Sequence, residues 1–157
     1  CIHKRMAELE FLKNKSLIFR TNFFGRSIKN KTFSDWIFYN FKKNKKIYLF
    51  NDVYFNPLRI ITIAKIISSI IMQKKYSYNG IFNLGSKNGI IKSDFALLFA
   101  KKTRVVNNNY EYKNVNKLLK VKRSNNMIMD VSKFEKNFQI KLPSIKNEIQ
   151  NEVKNYL

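Results

Sequence analysis

The sequence predicts an α/β fold with parallel strands, and three observations predict it. Short apolar runs alternate in order with segments whose apolar residues recur at helical spacing, from a helix at the start to a helix at the end. At 157 residues and 45% hydrophobic content, the chain is long enough for one core and too apolar for disorder. No internal repeat or low-complexity linker divides it, so residues 1–157 read as one folded unit.

The opening stretch CIHKRMAELE places Ile2, Met6 and Leu9, followed by Leu12, at helical spacing, with Lys4, Arg5, Glu8 and Lys13 on the other faces. No Ser, Thr, Asp or Asn precedes them to accept the first N–H groups, so the helix is expected to begin upstream in a longer protein. SLIFR (16–20) follows the turn-like KNKS and suits a buried strand, and TNFFGRS is a loop. Thr32 and Asp35 have capping-box spacing: the hydroxyl accepts an early N–H and the carboxylate reaches back. Phe33, Trp36, Ile37 and Phe41 then make residues 33–43 an amphipathic helix. KIYLF (46–50) reads as a strand and NDVYFNP as a loop. Pro57 has no N–H to leave unpaired and is expected to open an isoleucine-rich helix, sandwiched because most of its surface is apolar. Asn79 and Gly80 punctuate the chain before the strand in GIFNLGS (80–86), and KSDFALLFAKK (92–102) is a helix. Residues 103–120 show no clear period. MIMD (127–130) is extended, Asp130 is expected to cap VSKFEKNF, and Ser144 caps a closing helix.

Composition removes several classes of function. A single Cys excludes an internal disulfide, and with a single His it makes a zinc cluster implausible, so no metal and a reducing cytoplasm are expected. The longest apolar run, residues 58–72, is shorter than the roughly 20 residues of a membrane span and carries Arg59 and Lys65; no membrane partner is expected. The 31 Lys and Arg against 10 Asp and Glu give +21, which alone would suggest a polyanion. Lys is accompanied by abundant Asn, Ile, Phe and Tyr, all spelled by A- and T-rich codons, so genome composition accounts for much of the charge. The cations are also dispersed: KNKK (43–46) and the Lys pairs at 74, 75 and 101, 102 sit at expected helix ends, where they complement the macrodipole and stay solvated. No nucleic-acid motif accompanies them, so nucleic acid is not an expected partner, whereas a small anionic ligand is compatible.

In α/β sheets ligands sit beyond the carboxyl ends of strands, which directs attention to the loop RTNFFG. Arg20 and Asn22 can hold phosphate or amide groups, Phe23 and Phe24 can wall a sugar or nicotinamide ring, and Gly25 permits a tight turn. Equally, the two Phe suit a core and Asn22 a turn.

The strings LIFRTNFFG, TFSDWI, IYLFNDVYFNPL, GIFNLGS, KSDFALLFAKK and RSNNMIMDVSKFEKNF, collinear through nearly the whole chain, resemble the C-terminal half of the sugar-nucleotide reductases of the extended short-chain dehydrogenase group, the dTDP-4-dehydrorhamnose reductase family. The resemblance implies the last two strands of a Rossmann-like parallel sheet, SLIFR beside GIFNL, plus a small α/β substrate-binding subdomain, with the cofactor-binding N-terminal half absent. It implies NADP or NAD, a nucleotide-sugar substrate, reduction of a 4-keto-deoxysugar nucleotide by the full-length protein, and a homodimer as an assembly open to that full-length protein. The alternatives are an epimerase or dehydratase of the same superfamily, or a non-catalytic regulatory protein of the same fold.

The family uses a Tyr-x-x-x-Lys pair, in which the Lys cation lowers the Tyr pKa and grips the nicotinamide ribose while the Tyr hydroxyl passes a proton to the carbonyl oxygen. By resemblance Lys4 is that Lys, Glu8 is a Glu one turn later, and the Tyr stands immediately before Cys1. No GxxGxxG occurs in the chain, and His3 takes no catalytic role. Thr21, Asn22 and Phe23 correspond to the segment along the nicotinamide and the sugar, with Phe24 beside them. Arg123, in KRSNN, matches the Arg of an Arg-Pro motif near the substrate diphosphate, although Ser124 replaces the Pro; the alternative is a solvated surface cation. Asn56 and Pro57 correspond to a structural lid on the sugar pocket.

Overall fold

The computed structural model describes residues 2–73, 79–118 and 121–157. The elements run α1 (Ile2–Lys13), β1 (Leu17–Thr21), β2 (Phe23–Phe24), α2 (Phe33–Lys42), β3 (Ile47–Phe50), β4 (Tyr54–Phe55), β5 (Leu58–Arg59) and α3 (Ile60–Met72). They continue β6 (Gly80–Leu84), β7 (Ile90–Ile91), α4 (Lys92–Lys102), β8 (Tyr110–Lys113), α5 (Val115–Leu118), β9 (Asn126–Met127), α6 (Ser132–Phe138) and α7 (Ile145–Val153). The Lys pair at 74, 75 lies outside the described residues.

β1 and β6 lie side by side and parallel, with Leu17 opposite Gly80 and Thr21 opposite Leu84, as the resemblance implies. Helices α3 and α6 supply the apolar cover: Ile66, Ile70, Phe134 and Phe138 pack with Phe82 and Leu84 in one cluster. Phe19 of β1 meets Phe134 and Phe138 at ring distances of 6.0 and 6.1 Å.

A second cluster joins α2, α4 and α7 to β3. Its centre is α4, whose Phe95, Ala96, Phe99 and Ala100 share one buried face. Phe24 meets Phe95 edge-on at 4.9 Å, and Tyr156 meets Phe99 at 5.0 Å. β3 pairs in parallel with β8, while β4 is shared between β7, antiparallel, and β9, parallel. The fold is thus α/β with mostly parallel pairing.

Four expectations are revised. The isoleucine-rich helix starts at Ile60, not at Pro57, because Leu58 and Arg59 pair with Phe23 and Phe24 as β5. That helix is not sandwiched: only Ile66 and Ile70 are buried, while Ile71 is 70% and Met72 79% exposed. NDVYFNP is not wholly a loop, since Tyr54 and Phe55 pair on both sides. The N-cap position of α6 falls on Val131, which supplies no side-chain bond, and Asp130, one place earlier, accepts the Ser132 N–H through Oδ1 at 2.9 Å. The Thr32–Asp35 capping box and the Ser144 cap are present as expected. No described helix is long and apolar enough to cross a membrane.

Candidate functional site

The carboxyl end of β1 delivers Thr21, and the next three residues divide their duties by side. Asn22 is anchored twice: its Nδ2 donates to Met127 O at 3.3 Å and its carbonyl accepts the Leu58 N–H at 3.0 Å. In β2 successive side chains point to opposite faces, so Phe23 is 57% exposed and Phe24 is fully buried. Phe24 is therefore a core residue packed on Phe95 and does not wall a substrate. Thr21, Asn22 and Phe23 line one cavity of about 280 Å³ together with Phe33, Phe55, Lys92 and Met127.

The turn that follows is bolted in place. Gly25 has φ +135°, and a Cβ there would meet Glu152 Oε1 at 3.3 Å, so this position favours glycine on two counts. Its N–H donates to Ser34 Oγ at 2.9 Å and its carbonyl accepts from Thr32 Oγ1 at 2.6 Å. The N–H of Arg26 donates to Glu152 Oε1 at 2.8 Å. Asp35, buried at the start of α2, accepts from the Tyr156 hydroxyl at 2.7 Å and from Ser27 Oγ at 2.8 Å, and Thr32 Oγ1, 2.8 Å away, shares its one hydrogen between Asp35 and the Gly25 carbonyl. Burial pushes its carboxyl up, but the hydrogen bonds from Tyr156, Thr32 and Ser27 together outweigh it and hold the group below the usual value.

Lys92 opens α4, with its backbone N–H donated to Val53 O at 2.9 Å. Its side chain borders three cavities: the one at Thr21–Phe23, an apolar one of about 350 Å³ lined by Phe33, Trp36, Tyr48 and Phe50, and a small one of about 70 Å³ that includes Arg123. The ammonium lies 5.4 Å from the Phe33 ring centre and 5.7 Å from that of Phe55. Among the described residues no carboxylate pairs with it. Burial, and then the Arg123 charge, lower its pKa. Arg123 has an exposed side chain on a clamped backbone: its N–H donates to Asn116 Oδ1 at 2.7 Å, and its carbonyl accepts from Asn116 Nδ2 at 3.1 Å. Asn116 thus fixes the backbone that a proline would otherwise stiffen.

Lys4 lies in a different concavity, with Ile2, Arg5, Glu8 and Arg20. Glu8 is taken by Arg20, whose Nε and Nη2 reach its two oxygens at 2.7 and 2.5 Å, and this pairing holds the Glu8 carboxyl below its usual range. Lys4 is exposed and has no carboxylate partner among the described residues. Asn56 is a buried cross-link: Nδ2 donates to Ser86 O and Met129 O, and Oδ1 accepts the Met129 N–H at 3.0 Å. The structure therefore brings Thr21, Asn22 and Phe23 into one cavity and Arg123 into an adjoining one, sends Phe24 to the core, and sets Lys4 apart. Sequence reasoning missed Lys92. The available signal was a cation in the first turn of a helix, the end whose partial charge is already positive.

A dinucleotide needs a glycine turn open to its diphosphate, and this chain does not offer one. A Cβ at Gly85 or Gly89 would come within 2.7 Å of Asn56 or 2.4 Å of Ile128, one at Gly25 within 3.3 Å of Glu152, and Gly80 faces Phe82 with φ +138°, so the glycines serve the protein's own packing and turns. The residues present do not fit the diphosphate end of NAD or NADP.

No curated protein matches the sequence. Solved structures do match the fold. A dTDP-4-dehydrorhamnose reductase from Bacillus anthracis, in complex with NADP, superposes with a TM-score of 0.77 at 15% identity, covering 88% of this chain and 48% of that one. The reductase from Yersinia enterocolitica gives 0.76 at 16%, covering 93% and 51%. The dTDP-glucose 4,6-dehydratase from Bacillus anthracis, in complex with NAD, gives 0.72 at 14%, covering 97% and 49%. At these identities the likeness is one of fold, and the chain spans about half the length of each structure. The family model described as the RmlD substrate binding domain matches residues 7–157, and so the chain belongs to the RmlD substrate-binding domain family.

Proposed function

We propose that this chain is the substrate-binding portion of an NAD(P)-dependent sugar-nucleotide oxidoreductase, and that the longer protein reduces the 4-keto group of a nucleotide-linked deoxysugar. The observation that carries this reading is the cleft at the carboxyl end of β1, where the amide of Asn22 and the exposed ring of Phe23 share a cavity that adjoins the cations Lys92 and Arg123. An amide and an aromatic face suit a sugar, and cations that no carboxylate pairs with among the described residues suit a diphosphate.

Asn22 and Phe23 hold the sugar in this reading, and Arg123 the diphosphate. Lys4, with Thr21 to Phe23, borders the nicotinamide side. Arg20 takes Glu8, and among the described residues no carboxylate pairs with Lys4, so its ammonium is available to lower the pKa of a proton-donating phenol. The dehydratase of the same fold makes product analysis part of the test. The longer protein, given a dTDP-4-keto-6-deoxysugar and NADPH, should consume NADPH and form the 4-hydroxy sugar, with Lys4→Met lowering kcat at least tenfold. Sugar-nucleotide turnover without net NADPH consumption would move the assignment to an epimerase or dehydratase, and no turnover of any sugar nucleotide would leave a regulatory role.

A further inference from the structure

The cations are spread along the sequence, and the fold gathers one set of them. Lys42 and Lys43 end α2, Lys101, Lys102 and Arg104 end α4, and Lys154 follows α7. These three helix ends meet. The Asn107 side chain, beyond α4, donates to the Lys45 carbonyl, beyond α2, at 2.8 Å, and the ring of Tyr156, beyond α7, lies 5.1 Å from that of Phe38 in α2. The gathered cations are all exposed, and among the described residues none of them has a carboxylate partner. The carboxylates of the same helices are elsewhere: Asp35 and Asp94 stand in the first turns of α2 and α4, and Glu148 and Glu152 are buried. A helix C-terminus carries roughly half a negative charge, so the three ends offset only a minority of this positive charge.

Between the helix ends lies a concavity of about 380 Å³. Its floor is apolar, from Phe38, Val105 and Tyr156, and its rim carries Lys42 and Arg104. Val106, at the edge, is 71% exposed, an aliphatic side chain left to solvent. The rim is set before any partner arrives: the Val105 N–H returns to Ala100 O at 3.1 Å, and Arg104 takes φ +58° to allow it. Because α4 is 11 residues long, this end lies roughly 15 Å from Lys92 and the cleft beside it.

The shape of the concavity selects its partner. A bilayer surface is flat and does not reach the floor. A nucleic-acid base needs an open ring face to stack on, and Phe38 already meets Tyr156, Tyr39 at 5.4 Å and the Lys42 ammonium at 5.8 Å. With Val106, Lys42 and Arg104 all exposed, the concavity leaves most of a free small molecule uncovered. A peptide side chain brings its neighbours to the rim, and carboxylates among those neighbours complement the cations. We propose that this concavity docks an acidic peptide segment of a partner protein, one large apolar side chain filling the floor of Phe38, Val105 and Tyr156 and the flanking carboxylates meeting Lys42 and Arg104. This site and the sugar-nucleotide cleft stand or fall separately.

Anisotropy of a fluorescein-labelled peptide of glutamates around one phenylalanine reads the docking. The chain should bind it saturably, and alanine in place of the phenylalanine should weaken it about tenfold. Lys42→Glu with Arg104→Glu should weaken it about 10- to 100-fold. Lys136→Glu with Lys141→Glu makes the same charge change beside the other apolar cluster and should shift the affinity no more than about threefold. No binding by wild type, an equal loss in the two double variants, or equal affinity for the alanine peptide overturns the proposal. So does a result in which phosphatidylglycerol vesicles or a single-stranded oligonucleotide bind through Lys42 and Arg104 and the peptide does not. If the variant at Lys42 and Arg104 fails to fold, amide shifts in wild type decide: peptide-dependent shifts at Val105 and Val106 support the site, and their absence overturns it.

Discussion

Asp35 shows how much a single buried carboxylate organises here. It ties the first turn of α2 to Ser27 and, through the Tyr156 hydroxyl, to the last residues of the chain. Its folded pKa lies below the unfolded one, so its bonds stabilise the fold above the unfolded value, and that contribution is lost as pH falls through the folded value. Tyr156→Phe should therefore cost about 1–2 kcal/mol at neutral pH in urea unfolding, and the gap to wild type should shrink as the pH drops through the carboxylate range. A gap that is constant with pH would mean that Tyr156 does not act through the charge of Asp35. Glu152 is the other such residue: 2% exposed, it accepts from Arg59 Nε and the Arg26 N–H, both at 2.8 Å. Removing it strands the Arg59 guanidinium, so Glu152→Ala should cost about 3–5 kcal/mol in the same measurement. The exposed pair Lys13–Glu10 is as short, at 2.7 Å, but is solvated on both sides, and its loss should be hardly detectable. Asp35 was readable from the capping spacing; the role of Glu152 was not, because its partners lie more than ninety residues away.

Among the elements, α1 and α3 differ from the rest in what they leave uncovered. No residue of α1 is buried, and Ile2, Met6, Leu9 and Phe11 are each more than half exposed. Amide exchange should be fastest in α1 and slowest in α4, which buries Phe95 and Phe99 completely; comparable protection in the two would contradict the structure. In α3 the buried face is Ile66 and Ile70 alone. Ile66→Ala should cost about 2–4 kcal/mol, whereas Ile71→Lys, at an exposed position, should leave the unfolding midpoint nearly unchanged. The strong helical periods made α2, α4 and α7 legible from the sequence. The two-residue strands were not, because β2, β4, β5, β7 and β9 exist only through their pairing and carry no period of their own. β8, in the stretch without a visible pattern, is a strand because β3 pairs with it.

For the whole molecule, the absence of a glycine turn open to a ligand sets the limit on cofactor binding. Calorimetric titration of the chain with NADPH should show no micromolar binding, since the Cβ positions of all four glycines meet protein atoms within 4 Å; a micromolar Kd would contradict that reading. The sequence by itself determined the α/β class, the helices α2, α4 and α7 and the caps at Thr32 and Ser144, because these depend on local period and capping chemistry, while the adjacency of the strands at 16–20 and 80–84 came with the family resemblance. The tertiary structure alone decided that Phe24 is core while Phe23 is not, that Asn116 steadies Arg123, and that Lys92 meets three cavities with no counter-charge among the described residues. Burial, partner and unpaired charge are properties of what the rest of the chain brings alongside a residue, and distant packing is not written in its neighbours along the sequence.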